Sequence, residues 1–477
     1  MGLDRGFALV IDIGKTLSKI TLWSRDGRLI DRQVRPNAAC KQGGLRRLDA
    51  AGIGAWLIDA LAKYRDHPIE SIVPVGHGAG VAVLVPDELG RSELAFAPLD
   101  YEQSIPPDVM ADYRRLRDAF AVTGSPALPD GLNLGAQLFW LDRLHPEAMA
   151  AATLVTWAQY WAWFLSGVAL SEVSSLGCHT DLWAPGVDDF SPLAQRMGWA
   201  ERFAPLARAG DIVGTLRPEL AARTGLPATV HLHAGLHDSN AALNAARGFA
   251  AIAHNEATVL STGTWFIGMR LPGAPVDTGQ LREARAENRD CLVNVDVFGR
   301  PVPSARFMGG REIESVIGID TRRIDIKPDQ PALLGAVAQV LADVAMLLPT
   351  LAPGCGPFPE GEGRWLNEPA DWFAKRAATS LYAALVADAA LDLIGSRERL
   401  LVEGRFAEAE VFVRALAALR PDTAVYVANA HNDVSFGALR LLDPTLAPAG
   451  ELVRVAPLDA DLAAYREGWR AAMRVPA

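Results

Sequence analysis

The sequence predicts an α/β protein of two domains, on three observations. Strand and helix signals alternate through the first third of the chain. A strand, glycine turn and returning strand occur twice, about 250 residues apart, around Gly14 and around Gly263. At 477 residues the chain exceeds what one ordinary core organises.

The first element is a hairpin. Residues 8–13 are an apolar, β-branched run, Gly14-Lys15-Thr16 is a small polar turn, and residues 17–23 form the returning strand. Residues 53–64 read as a helix and 71–75 as a buried strand. The glycine-rich turn Gly76-His77-Gly78-Ala79-Gly80 leads into a strand over 81–85. A loop rich in Pro and Asp covers 98–108.

Helical periodicity dominates 132–167, with His145-Pro146-Glu147 as a break. Residues 154–170 carry no charge, yet the run is short for a membrane span and contains Gln159, Ser166 and Gly167. It reads as a buried helix ending near Gly167, with Trp157, Trp161 and Trp163 as core packing. Residues 182–220 are irregular and 229–234 read as a strand. Asp238 opens a helix through Ala246, where its carboxylate is placed to cap orphan N–H groups.

The second half restarts with a hairpin from Ala257 to Met269. Helices are expected over 331–348, 372–395 and 408–419, with strands over 400–404 and 424–427. A last docking helix spans 432–442. The domain boundary falls near residue 246, giving domains 1–246 and 247–477.

Composition narrows the function. Half the residues are hydrophobic and 21% charged, which suits a soluble enzyme rather than a disordered chain. A net charge of −10 disfavours a nucleic-acid partner. Cys40, Cys178, Cys291 and Cys355 are scattered, as reduced thiols would be. Asp4, Arg5 and Asp12 flank only a short apolar run, so no signal peptide or membrane partner is expected, and the cytoplasm is the expected location. A homodimer is the common default.

The two glycine turns carry the chemistry. Glycine lets backbone N–H groups approach an anion, and neighbouring hydroxyls add donors. One such turn in each half suits a polyphosphate held between two domains, and so points to a kinase. Gly14-Lys15-Thr16 is not a P-loop: Leu9 stands where that motif needs glycine, and a strand follows instead of a helix. Asp12 reads as a strand-end carboxylate facing Mg²⁺ through water, since Mg²⁺ keeps several waters and takes few carboxylates. Lys15 and Thr16 are then placed to reach phosphate oxygens. The competing reading is an ordinary hairpin with an Asx turn.

His231, His233 and His237 resemble a metal cluster by spacing, but structural histidines are the preferred reading, with His237 near a substrate. Asp238 follows a strand and turn just before a helix. A carboxylate there is suited to accept a proton from a substrate hydroxyl during phosphoryl transfer. Asp100 and Tyr101 lie in an acidic, aromatic loop that suits polyol recognition.

These residues resemble the FGGY carbohydrate kinases of the actin-like ATPase superfamily. Asp12-Ile13-Gly14-Lys15-Thr16 is similar to the family's first phosphate motif. Leu236-His237-Asp238-Ser239-Asn240 is similar to the segment whose Asp is the catalytic base. Ser261-Thr262-Gly263-Thr264-Trp265 is similar to the second phosphate motif. Ser171-Glu172-Val173-Ser174-Ser175 through Leu182 is similar to a stretch of the family's N-terminal domain. The order holds over most of the chain, and the spelling leans toward the rhamnulokinase and fuculokinase branch.

The resemblance implies two ribonuclease-H-like domains with a catalytic cleft between them. The first would bind sugar and the second nucleotide, with ATP and Mg²⁺ as cofactors. It implies Asp238 as base and His77, Asp100, Tyr101 and His237 as sugar contacts. Phosphate and nucleotide contacts fall to Asp12, Gly14, Lys15, Thr16, Ser261, Thr262, Gly263, Thr264 and Gly404. Two departures stand out. Lys15 replaces a small residue, and Val402-Glu403-Gly404-Arg405 replaces a triple glycine at the adenosine loop. Two other readings remain: a sugar-binding sensor that lost catalysis, and a metal hydrolase built on the three histidines.

Overall fold

Strand β1 (Phe7–Ile13) forms the centre of the first sheet because almost every residue in it is apolar. Leu9, Val10, Ile11 and Ile13 are fully buried, as expected for a strand covered on both faces. Each such side chain contributes about 1.5–3 kcal/mol by leaving water. In this computed structural model, residues 6–273, 287–320, 325–430 and 434–474 are described. The chain divides into two compact units. The first comprises 1–248, 293–301 and 432–448, and the second 249–292, 302–431 and 449–477.

In the first unit, β1 pairs antiparallel with β2 (Leu17–Trp23), and β2 with β3 (Leu29–Pro36). Helix α1 (Ala50–Ala62) follows, capped by Asp49, whose carboxylate accepts from Gly52 N. It leads to β4 (Ile69–Gly76), which lies parallel to β1. Strand β5 (Val81–Pro86) pairs in a separate small sheet with β6 (Thr153–Thr156). Helix α2 (Trp157–Ser166) starts at once after β6 and stops at Gly167.

Strand β7 (Ile212–Thr215) pairs antiparallel with β8 (His231–His233), while β8 and β9 (Leu236–His237) both run parallel to β4. The strand order is β7-β8-β4-β1-β2-β3. Helix α3 (Asp238–Ala246) springs directly from β9.

The second unit repeats the opening pattern. Strand β10 (Ala257–Thr262) pairs antiparallel with β11 (Phe266–Leu271) and parallel with β12 (Arg399–Gly404). Strand β13 (Ala424–Ala428) extends the sheet beside β12. The helix Trp372–Leu393 precedes β12, and Glu410–Leu419 lies between β12 and β13. Among the described residues, no helix is long and apolar enough to cross a membrane.

Three local readings differ from the sequence expectation. The uncharged run at 154–170 is not one helix, because its β-branched start belongs to β6. The helix expected over 331–348 is Gln330–Ala342. Val344 then adopts φ +52° and Met346–Leu348 becomes a strand. Both are apolar runs in which periodicity does not distinguish helix from strand. Asp238 is the first residue of its helix, with His237 at the cap position.

The helix Val434–Leu439 joins the first unit late in the chain and packs against α3. Its Gly437 is required by close approach: a Cβ there would lie 1.7 Å from the carbonyl oxygen of Ala241. Asn244 ties the two helices by donating to the Gly437 carbonyl at 2.8 Å. We predict that Gly437→Ala destabilises the protein by about 1–3 kcal/mol through this overpacking, measured as a fall in the denaturation midpoint. An unchanged midpoint would contradict the tight contact.

Candidate active site

Asp238 sits where β9 becomes α3, at the N-terminal end of a helix whose dipole favours negative charge. Its side chain is 34% exposed. One carboxylate oxygen accepts from Ser239 N at 2.6 Å and lies 3.2 Å from His237 Nε2. Burial holds the His237 pKa below the ordinary value, against the opposing pull of Asp238. Asn240 Nδ2 lies 3.5 Å from His237 Nδ1. With Nδ1 facing that donor, Nε2 carries the proton and donates to Asp238.

A buried frame holds this segment. Glu172, with no exposed surface, caps the short helix Val173–Leu176. Its carboxylate accepts from Ser174 N at 2.9 Å, Ser174 Oγ at 2.7 Å and Ser175 N at 3.1 Å. Ser174 Oγ in turn accepts from His237 N at 3.2 Å. Burial pushes the Glu172 pKa up to about 7, although the Ser174 and Ser175 donors pull it down.

The turn after β4 brings His77 to the same neighbourhood. Its Nδ1 lies 2.6 Å from Gly78 O, while Nε2 is buried without a protein partner. The His77 pKa is lowered by burial, and the ring senses the charges of Asp238, Lys15 and His237. Ala79 holds φ +53°, a strained value. Gln137 braces that peptide by donating to Ala79 O at 2.7 Å. Tyr101 meets the His77 ring edge-on at 5.4 Å.

The first glycine turn is braced by a residue that the sequence did not single out. Asn37 Nδ2 donates to Gly14 O at 2.8 Å, and Asn37 N to Thr16 O at 2.8 Å. Thr16 is exposed. Asp12 lies 3.2 Å from Lys19, its cross-strand partner. Lys15 turns toward the loop that carries Asp100, Tyr101 and Glu102. It pairs with Asp100 and with Glu102 at 3.3 Å, and its ammonium sits 4.0 Å from the Tyr101 ring centre.

Asp100 was expected to accept sugar hydroxyls. Its side chain has no exposed surface, and its oxygens are taken by Lys15, by Arg46 at 2.7 Å and by Glu102 N at 2.9 Å. Burial acts to raise its pKa, but the Arg46 and Lys15 hydrogen bonds prevail and hold it below the ordinary value. Asp100 therefore orders the loop and fixes two cations.

In the second unit, Gly263 N donates to Trp265 O at 3.0 Å and closes the turn. Ser261, Gly263 and Thr264 are exposed, and Thr262 is buried. The Thr262 hydroxyl, expected to meet phosphate, donates to Glu403 O at 2.5 Å and accepts from Phe406 N at 3.0 Å. It staples the turn to the loop after β12. Gly404 ends β12 at φ +83°, where a Cβ would sit 2.3 Å from Thr262 O. Burial pushes the Glu403 pKa up to about 7.

The three histidines separate. His231 is exposed. His233 lies between Gly210 O at 2.8 Å and Ser71 Oγ at 3.3 Å, while His237 belongs with Asp238. Among the described residues, no group of three or more His, Cys, Asp or Glu side chains is placed to hold a metal. A Mg²⁺ held through its own waters asks for only one or two carboxylates, and Asp12 offers one, paired with Lys19 at 3.2 Å.

Comparison with known proteins places this geometry in context. Residues 254–449 match the model of the C-terminal domain of FGGY carbohydrate kinases. An L-fuculokinase from Escherichia coli K12 is 28% identical over 296 residues. That stretch is 58% of this chain and 58% of the fuculokinase, so the match spans less than two thirds of its length. A carbohydrate kinase of known structure from Novosphingobium aromaticivorans is 68% identical, with a TM-score of 0.93 over 98% of this chain and all of that one. A xylulose kinase from Rhodospirillum rubrum shares the fold at 16% identity, with a TM-score of 0.76 over 98% of each chain.

The buried Glu172 yields a pH prediction. Its folded pKa of about 7 exceeds the ordinary 4.5, so the folded state binds more protons between those values. Stability contributed by the protonated form is therefore present below pH 4.5 and lost as pH rises through 7, by about 3 kcal/mol at most. Glu172→Gln is expected to flatten the fall in melting temperature between pH 5 and 7.5. An unchanged slope would show that Glu172 does not titrate there.

Proposed function

Because the chain belongs to the FGGY carbohydrate kinase family, we propose that it transfers a phosphoryl group from ATP to a hydroxyl of a ketose. The acceptor class is a deoxyhexulose, hexulose or pentulose, such as L-rhamnulose, L-fuculose or xylulose. The observation that carries this reading is a partly exposed carboxylate, Asp238, whose charge is felt by His77, a ring with its buried Nε2 unpartnered. A buried polar nitrogen without a partner costs stability, so it favours a ligand that satisfies it.

In this reading the sugar hydroxyl gives its proton to Asp238 as its oxygen attacks the terminal phosphorus of ATP, and ADP leaves. His237, neutral and donating to Asp238, fixes the direction of the carboxylate. His77 Nε2 and Tyr101 orient the sugar. Hydroxyls of the exposed Thr16, Ser261 and Thr264 serve the phosphates, since the Gly14 N–H is already donated to Leu17 O at 3.0 Å. Gly404 admits the nucleotide close to the backbone. Asp12 would hold Mg²⁺ through water, and the ion when bound would neutralise phosphate charge.

The similarity to an L-fuculokinase supports a ketose acceptor. The departures at Glu403 and Arg405 keep a second reading open, a sugar-binding protein without transfer activity. Calorimetric titration with Mg-ATP separates the two, because sugar binding without nucleotide binding favours the second.

Asp238→Asn is expected to melt as the wild type does and to lose at least about 100-fold in kcat, measured by coupled ADP release over a panel of ketoses and polyols. Near-normal turnover in this variant would remove Asp238 from the role of base.

A further inference from the structure

The sugar-side loop of the first unit carries more charge than a neutral acceptor needs. Lys15 and Arg46 are its cations, and Asp100 and Glu102 are its carboxylates. Asp12 and Lys19 match one another close by. Asp238 remains, and both neighbouring histidines are held neutral by burial. The cluster is thus left with one excess negative charge. That excess lies at the group proposed to receive the proton.

Lys15 is the cation of interest. Its side chain is 15% exposed, against 45% for Arg46, so its field is the less screened. Its ammonium sits over Tyr101, whose ring meets His77, and His77 itself senses the Lys15 charge. An ammonium in this position would attract an anionic acceptor if it were unmatched. It is matched by Asp100, which is fully buried and cannot turn away to solvent. Glu102 is 53% exposed and contributes a weaker hold.

We propose that the Lys15–Asp100 pair determines acceptor class: it selects uncharged sugars and rejects sugar acids by withholding the Lys15 ammonium from a substrate carboxylate. Asp238, the one unmatched negative charge of the cluster, supplies the repulsive element against a bound aldonate. The inference rests on the kinase reading above for its chemistry, but its physical basis is a binding preference.

The test compares D-xylulose and L-fuculose with D-gluconate and D-xylonate in the full-length protein. Both kcat/KM and calorimetric affinity are measured for wild type, Asp100→Asn, Lys15→Met and the double variant. Wild type should prefer the ketoses. Asp100→Asn should raise the aldonate-to-ketose ratio by roughly tenfold or more, and the double variant should lose that gain because the ammonium is gone. Lys15→Met alone should raise KM for ketoses without gaining aldonates.

A folded Asp100→Asn with an unchanged ratio would overturn the proposal, as would a wild type that prefers aldonates. If Asp100→Asn fails to fold, Glu102→Gln takes its place, with a smaller rise in the same direction expected and no rise contradicting the idea. Absence of transfer to every acceptor would instead defeat the kinase reading. Gluconate affinity of the variants would still decide the selectivity claim.

Discussion

The proposed chemistry depends on a single carboxylate being aimed rather than merely present. Asp238 is the first residue of its helix, so the direction of its side chain follows from the strand that precedes it. That strand is fixed by a hydrogen bond from His237 N to Ser174 Oγ, and Ser174 is fixed by Glu172. Each link is buried, where an unmet polar group is costly, and this makes the frame stiff. A carboxylate held in this way needs little further ordering to act as the proposed base.

Charge is arranged with the same economy around it. Asp100 and Glu102 are paired with Lys15 and Arg46, and burial lowers the pKa of both His77 and His237. His77 Nε2, buried without a protein partner, would gain a hydrogen bond from a hydroxyl of the proposed acceptor. The second unit uses its polar atoms differently. The Thr262 hydroxyl holds two backbone segments together, leaving Ser261 and Thr264 at the surface.

Much of this was legible in the sequence because it depends on neighbours along the chain. The β-branched runs before Gly14 and Gly263 specify strands, and the small polar residues after them specify turns. His237 and Asp238 follow a strand and open a helix, so their placement could be read locally. What escaped depends on contacts distant in sequence. Lys15 meets Asp100 across 85 positions, and Asn37 reaches back 23 to brace the first turn. Asp100 read as a polyol contact, but the fold buries it. Thr262 looked like a phosphate donor, but β12 arrives beside it and takes the hydroxyl. The strand at Thr153–Thr156 was hidden because an apolar run feeding a helix has no period of its own.

The most direct measurement is ³¹P NMR of the wild-type protein with Mg-ATP and a mixture of neutral ketoses. The account predicts a phosphomonoester resonance that grows in step with ADP. Inorganic phosphate alone, or an unaltered ATP spectrum in the presence of every ketose, would contradict it.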